Sequence, residues 1–150
     1  MLQILIVSDS FNHFDKPIQE FIKRLGKDIK ITKIKPEKNW EISTIVRKET
    51  DKIIEFLEKE KWYVIWLDYE WDEFSTEQLN DFIAKTLSRQ SKITFIIWGS
   101  YWYDKELLSK YIHKKLSLSK MTYPHSMAFL VLLEQLYRIK SIEKGTGYHH

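Results

Sequence analysis

Two apolar runs without polar alternation, Trp62–Leu67 (WYVIWL) and Ile93–Ile97 (ITFII), constrain the fold of this chain most. Such runs are typical of strands that are covered on both faces, as in parallel sheets. Helix-like stretches separate them from each other and from a third apolar run, Leu2–Val7 (LQILIV). Parallel strands need long crossover connections. The sequence therefore predicts an α/β fold with a mainly parallel sheet flanked by helices.

The segments between these runs predict the remaining elements. Ile29–Lys35 nearly alternates between apolar and polar residues, which indicates a strand at or near a sheet edge. Ser75 and Gln78 have the spacing of a capping box and predict the start of a helix. Pro124 is acceptable at the start of a long apolar helix. Further predicted elements are helices over Lys16–Leu25, Thr44–Glu60 and Asp104 to Ile112, and a last short strand over Leu116–Leu118.

Composition narrows the class of protein. A chain of 150 residues that is 43% hydrophobic suits one domain over residues 1–150. It has no cysteine, which excludes disulfides and thiolate metal sites, and its five histidines are scattered, so we expect no metal. A formal charge of +3 does not by itself indicate nucleic acid. The first residues do not resemble a signal peptide, and no apolar run is long enough to span a membrane, so we expect a cytoplasmic protein.

Ligands of parallel α/β folds bind at the carboxyl ends of strands, which directs attention to the loops after Leu67, Ile97 and Leu118. The first loop, residues 68–73, holds four carboxylates and is either an acid–base site or a solvated loop that caps a helix. In the second, residues 98–104, the aromatic residues serve either packing or ligand stacking. The third, residues 117–125, combines hydroxyl groups with a helix N-terminus, which suits a carboxylate or a phosphate.

The C-terminal third carries a more specific pattern. Its elements are the run Ser-Lys-Met-Thr-Tyr-Pro-His over residues 119–125, the run Leu-Leu-Glu-Gln-Leu-Tyr-Arg over residues 132–138, and a terminal Tyr-His. In this order they resemble the RlmH family, SPOUT-class enzymes that methylate N3 of a pseudouridine in large-subunit ribosomal RNA with S-adenosylmethionine. The similarity extends over the whole chain. It implies a SPOUT-type trefoil-knotted α/β fold and a homodimer whose active sites lie at the subunit interface.

The resemblance also implies roles for individual residues. The cofactor would be held by main-chain groups of three loops, which correspond here to Leu67, Gly99, Leu118, Ser119, Lys120, Met121, Thr122 and Tyr123. His125 and Arg138 would bind the RNA substrate, and Tyr148 and His149 of the tail would be the catalytic residues. Two alternatives remain open from the residues alone. His125 can instead bond within its own loop, and Arg138 can form an ion pair with a neighbouring glutamate on the helix surface.

The sequence departs from the family pattern on the ligand side. Trp71, Trp98 and Trp102 stand where the family has glycine, and Phe129 replaces a basic residue. Large side chains in place of glycine fill or reshape a pocket. Two hypotheses follow. Either the chain is an S-adenosylmethionine-dependent ribosomal RNA methyltransferase with an aromatic-walled cofactor pocket, or it is a catalytically silent knotted dimer that binds RNA or the ribosome without methyl transfer.

Overall fold

The computed structural model describes residues 1–148 and contains a five-stranded sheet whose strand pairs are all parallel. The strands stand in the order β2-β1-β4-β3-β5. They are β1 Leu2–Val7, β2 Ile29–Ile34, β3 Tyr63–Leu67, β4 Ile93–Ile97 and β5 Lys114–Leu116, and the α-helices are α1 Asp15–Leu25, α2 Ile42–Lys59, α3 Thr76–Leu87, α4 Lys105–Ser109 and α5 His125–Lys144. The predicted parallel α/β architecture is confirmed.

Burial along the strands follows their positions in the sheet. All five residues of β4 are buried, because β4 lies between β1 and β3 and is covered by helices on both faces. β2 lies at one edge and keeps Lys30 and Lys33 in solvent, as the alternating sequence predicts. The helices fall into two groups by their contacts: α5 packs against α1 and α3, and α2 packs against α4. Right-handed crossovers, the rule for parallel sheets, would put these two groups on opposite faces of the sheet.

The bounds of several elements in the structure differ from the predicted bounds. The last strand is Lys114–Leu116 and not Leu116–Leu118, because its pairing to β3 begins with Ile65 opposite Lys114 and ends with Leu67 opposite Leu116. α4 ends at Ser109, short of the predicted Ile112. The capping box of α3 forms as predicted: Ser75 Oγ accepts from the N–H of Gln78, and the Gln78 side chain accepts from the N–H of Ser75.

The register brings the carboxyl ends of the strands to one edge of the sheet. Ile6 of β1 pairs with Ile97 of β4, Trp66 of β3 pairs with Ile96, and Leu67 pairs with Leu116 of β5. The loops that follow β1, β3, β4 and β5 therefore start side by side. The candidate site residues are carried by these loops and by α5.

Candidate active site at the carboxyl edge of the sheet

The loops after β3 and β5 are joined by main-chain hydrogen bonds. The N–H of Asp68 donates to Leu116 O at 3.0 Å, and the N–H of Ser117 donates to Asp72 O at 2.9 Å. A parallel bridge pairs Glu73 with Ser117. Two of the three predicted cofactor loops are thus held in contact directly beyond the fully buried Leu67.

Hydroxyl groups organise the loop after β5. Ser117 Oγ donates to Ser119 O at 2.6 Å and accepts from the N–H of Ser119 at 3.2 Å. Ser119 Oγ accepts from the N–H of Met121 at 3.0 Å. Leu118, Ser119 and Tyr123 are half-buried, whereas Lys120 and Thr122 are exposed and Met121 is 73% exposed. The loop is fixed at its base and open to solvent at its tip.

The loop after β4 contributes an aromatic stack. Trp98 is only 7% exposed, and its indole stacks on that of Trp102 with centroids 5.3 Å apart and planes 14° apart. Tyr69, from the loop after β3, meets Trp102 edge to face at 5.5 Å. All three predicted cofactor loops therefore converge, and an aromatic wall stands at the junction.

Trp102 shows why the family pattern has glycine at this position. Its φ is +67°, in the left-handed region that glycine adopts without cost and that a tryptophan adopts at a cost of about 1–2 kcal/mol. Stacking on Trp98 offsets part of this cost.

The acidic loop after β3 is explained mainly by ion pairs. Glu70 lies 3.0 Å from Lys105, and Asp72 lies 2.9 Å from Lys114. Asp68 differs, because its side chain is completely buried. Its Oδ1 accepts from the N–H of Tyr69, and its Oδ2 forms an ion pair with Lys105 Nζ at 3.3 Å. Asp68 and Lys105 were not among the predicted site residues, although a carboxylate directly after a buried strand was a usable signal.

The other two family departures do not join the aromatic stack. Trp71 is 36% exposed and lies under Lys115, whose Nζ is 4.0 Å from the ring centroid. Phe129 is fully buried and packs on Phe11 with ring centroids 5.0 Å apart. Phe129 has therefore become a core residue and does not replace the function of a basic side chain.

The predicted substrate residues form two separate groups. His125 is the first residue of α5, and burial lowers the pKa of its imidazole, opposed in part by the charge of Asp9. At the other end of the helix, Arg138 Nη2 lies 2.6 Å from Glu134 Oε1, which is the alternative that the sequence left open. The ring of Tyr148 lies 5.1 Å from the Arg138 guanidinium. Arg138 and Tyr148 thus lie together, and His149 is outside the described residues.

The residues that follow α5 contact that helix. Gly145 adopts a left-handed C-cap, and its N–H donates to Ile142 O. Beyond it, Tyr148 packs edge to face on Tyr137 with ring centroids 4.8 Å apart. Tyr148 therefore has packing partners on α5, which presents an aromatic ring and a guanidinium to it.

Distance prevents one chain from uniting the substrate residues. A rise of about 1.5 Å per residue separates His125 from Arg138 by roughly 20 Å along α5, so the two side chains of one chain do not meet at one site.

Among residues 1–148, no group of three or more His, Asp or Glu side chains is placed to hold a metal ion. No helix in the same range is long and apolar enough to cross a membrane.

Comparison with known proteins decides the family. The family model described as "Predicted SPOUT methyltransferase" matches residues 1–149. The chain belongs to the SPOUT methyltransferase family. The ribosomal RNA large subunit methyltransferase H of Thermotoga maritima is 31% identical over 96% of this chain and 91% of the relative. The protein of the same name from Clostridium novyi is 38% identical over 88% of this chain and 87% of its own length.

A solved structure supports the SPOUT fold. A methyltransferase of Legionella pneumophila, crystallised with its cofactor SAM, superposes with a TM-score of 0.54 and 12% sequence identity. The match covers 93% of this chain and 66% of that chain, and at this identity it bears on the fold alone. In this SPOUT family chain, the predicted fold class and the recognised family are therefore both confirmed.

Proposed function

We propose that this protein is an S-adenosylmethionine-dependent methyltransferase that acts on N3 of a pseudouridine in large-subunit ribosomal RNA. The observation that carries the proposal is similarity over 88–96% of the chain to proteins named ribosomal RNA large subunit methyltransferase H, at 31% and 38% identity for the two relatives above. Convergence of the three loops at the carboxyl edge supports it. Because ribosomes are its substrate, we place the protein in the cytoplasm.

The types of residue at the carboxyl edge of the sheet suit the chemical groups of S-adenosylmethionine. The partly exposed indole of Trp102, supported by the ring of Trp98 behind it, would offer a flat face suited to an adenine ring and to a sulfonium charge. Asp68 Oδ2 is buried and pairs with Lys105 Nζ at 3.3 Å, and a carboxylate oxygen in this position can also accept from a ribose hydroxyl. Leu67, Gly99 and the loop from Leu118 to Tyr123 would supply main-chain groups. S-adenosylmethionine, when bound, supplies a methyl group on a positively charged sulfur.

The chain's own side chains would handle the uracil ring and its proton. Burial keeps the pKa of His125 below its usual value, so its imidazole is neutral at pH 7 and can accept a proton or a hydrogen bond. Arg138 carries a permanent charge suited to an RNA phosphate. Tyr148 lies against Arg138 and would contact the base beside it.

A homodimer would unite these residues. The partly exposed side chains Met127, Leu130, Val131 and Glu134 form a stripe along α5. A two-fold axis crossing antiparallel copies of α5 near Val131, midway between His125 and Arg138, would bring Arg138 of the partner subunit beside His125. Leu132 and Leu133 are fully buried within their own chain and are not part of this stripe.

One observation favours the alternative function, a catalytically silent dimer. Trp98 is buried where the family has glycine, so its side chain would fill the cofactor pocket. Calorimetric titration with S-adenosylmethionine separates the two functions. We expect one binding site per chain with a dissociation constant in the micromolar range, because the loops that hold the cofactor are already assembled. Absence of heat at millimolar cofactor would support the silent alternative.

A further inference from the structure

A cleft of about 460 Å³ is lined by Ser100 and Tyr101 of the loop after β4 and not by Trp98 or Trp102. It opens between the carboxyl ends of β1 and β4. The connection leaving β1 runs to β2 on one side and the connection leaving β4 runs to β5 on the other, so this is the point where the strand order reverses. Ligands of open parallel sheets bind at such switch points.

The floor of the cleft holds a carboxylate with an unused acceptor. Glu49 of α2 is 3% exposed, and its Oε1 accepts from the N–H of Glu37 at 3.0 Å. Its Oε2 is buried and has no hydrogen-bond partner. A Cβ atom at Gly99 would lie 2.9 Å from this Oε2, so glycine lets the carboxylate reach the loop after β4. Burial raises the pKa of Glu49, as expected for a carboxylate whose lost hydration is not replaced.

Two exposed aromatic side chains stand at the rim. Trp40 is 53% exposed and Tyr101 is 47% exposed, and both line the cleft together with Ser8 and His125. Lys48 Nζ lies 4.5 Å from the Trp40 ring centroid and adds positive charge beside it. Exposed aromatic rings beside lysines are the usual means by which proteins stack single-stranded bases and hold their phosphates.

We propose that this cleft binds one unpaired nucleobase of the RNA substrate, stacked by Trp40 and Tyr101, with Glu49 Oε2 accepting a hydrogen bond from an N–H on the base edge. The proposal rests on the proposed function, which makes RNA the substrate. It adds a base-binding site that is distinct from the Trp98–Trp102 stack and to which the loop after β4 contributes Tyr101. His125, which lines the same cleft, connects this site to the predicted substrate residues.

The binding of labelled six-nucleotide oligouridylate to the full-length protein, measured by fluorescence anisotropy at fixed low salt, tests the stacking role. Wild type should bind it at least about fivefold more tightly than an abasic ribose-phosphate chain of equal length, because stacking on aromatic rings favours the base. Trp40→Ala and Tyr101→Ala should remove this preference. Ile42→Ala is the matched control, because Ile42 is equally exposed at the start of α2 but does not line the cleft.

A second pair of variants tests Glu49. Wild type should bind oligouridylate several-fold more tightly than the same chain of N3-methyluridine, which lacks the imino N–H. Glu49→Gln should reduce that discrimination, whereas Glu55→Gln, on the solvent side of the same helix, should not. If Glu49→Gln fails to fold, the two rim variants still decide, since both side chains are largely exposed.

Unchanged base preference in Trp40→Ala and Tyr101→Ala would overturn the cleft assignment. So would equal binding of the abasic and base-containing chains by wild type. Either result would leave the proposed function intact if wild type still transfers methyl groups to ribosomal RNA. Conversely, a wild type that shows the base preference but transfers no methyl group would contradict the proposed function and not the cleft.

Discussion

Equal amounts of His125→Ala and Arg138→Ala chains, refolded together, should recover about a quarter of wild-type methyl-transfer activity. Each variant alone should lose roughly 100-fold or more, because both residues position the substrate. In a two-fold dimer with shared sites, about half of the mixed population pairs unlike chains. One of the two sites in each such dimer keeps both side chains. The roughly 20 Å between His125 and Arg138 along α5 leads to this expectation.

A substitution at Leu130 provides the control for this mixing experiment. It is half-buried on the exposed stripe of α5, so Leu130→Asp in both chains would bury an unpaired charge in the dimer and should yield monomers. The mixture should then recover no activity, while circular dichroism shows a folded chain. Failure of the original mixture to recover, with mixed dimers verified by mass spectrometry, would contradict a site built from two subunits.

Replacing Trp98 and Trp102 by glycine, one at a time, should distinguish the loss of side-chain packing from the relief of backbone strain. Trp98→Gly should lower the free energy of unfolding by about 3–5 kcal/mol, because it removes a large, nearly buried side chain. Trp102→Gly should cost distinctly less. Its ring is only half-buried, and glycine at a φ of +67° recovers about 1–2 kcal/mol of backbone strain. Urea denaturation of the two variants measures the difference.

Trp71→Gly is the matched third variant, because Trp71 also replaces a family glycine but lies outside the stack at 36% exposure. Its effect on unfolding should be within about 1 kcal/mol. Cofactor affinity should change several-fold for Trp98→Gly and Trp102→Gly and remain near wild type for Trp71→Gly. Equal losses of stability for Trp98→Gly and Trp102→Gly would show that the left-handed backbone at position 102 is not strained.

The central strands could be predicted from the sequence because a strand that is buried on both faces consists of consecutive apolar residues. Leu2–Val7 and Ile93–Ile97 have the same bounds in the structure as in the sequence prediction. β5 was misplaced because Lys114 and Lys115 do not look like a strand, and only pairing with β3 makes them one. Short edge strands carry little sequence signal of their own.

The candidate site, like the fold, could be predicted from the sequence only in part. The three loops could be located from the ends of the strands, and the C-terminal motif indicated which residues to examine. The pairing of Asp68 with Lys105 and the cleft around Glu49 could not be predicted, since both depend on which loops meet at the edge of the sheet, although the position of Asp68 directly after a buried strand was a signal for that residue alone. Glu49 looks like any polar residue of an amphipathic helix, and only the close approach of Gly99 distinguishes it.

Methyl transfer to ribosomal RNA tests the central claim most directly. Large subunits from a strain that lacks the N3 methyl group would be incubated with this protein and isotopically labelled S-adenosylmethionine, and the nucleosides analysed by mass spectrometry. We predict label on N3 of pseudouridine, at about one methyl group per large subunit. Binding of the cofactor or of the subunit without any label in the RNA would contradict the account.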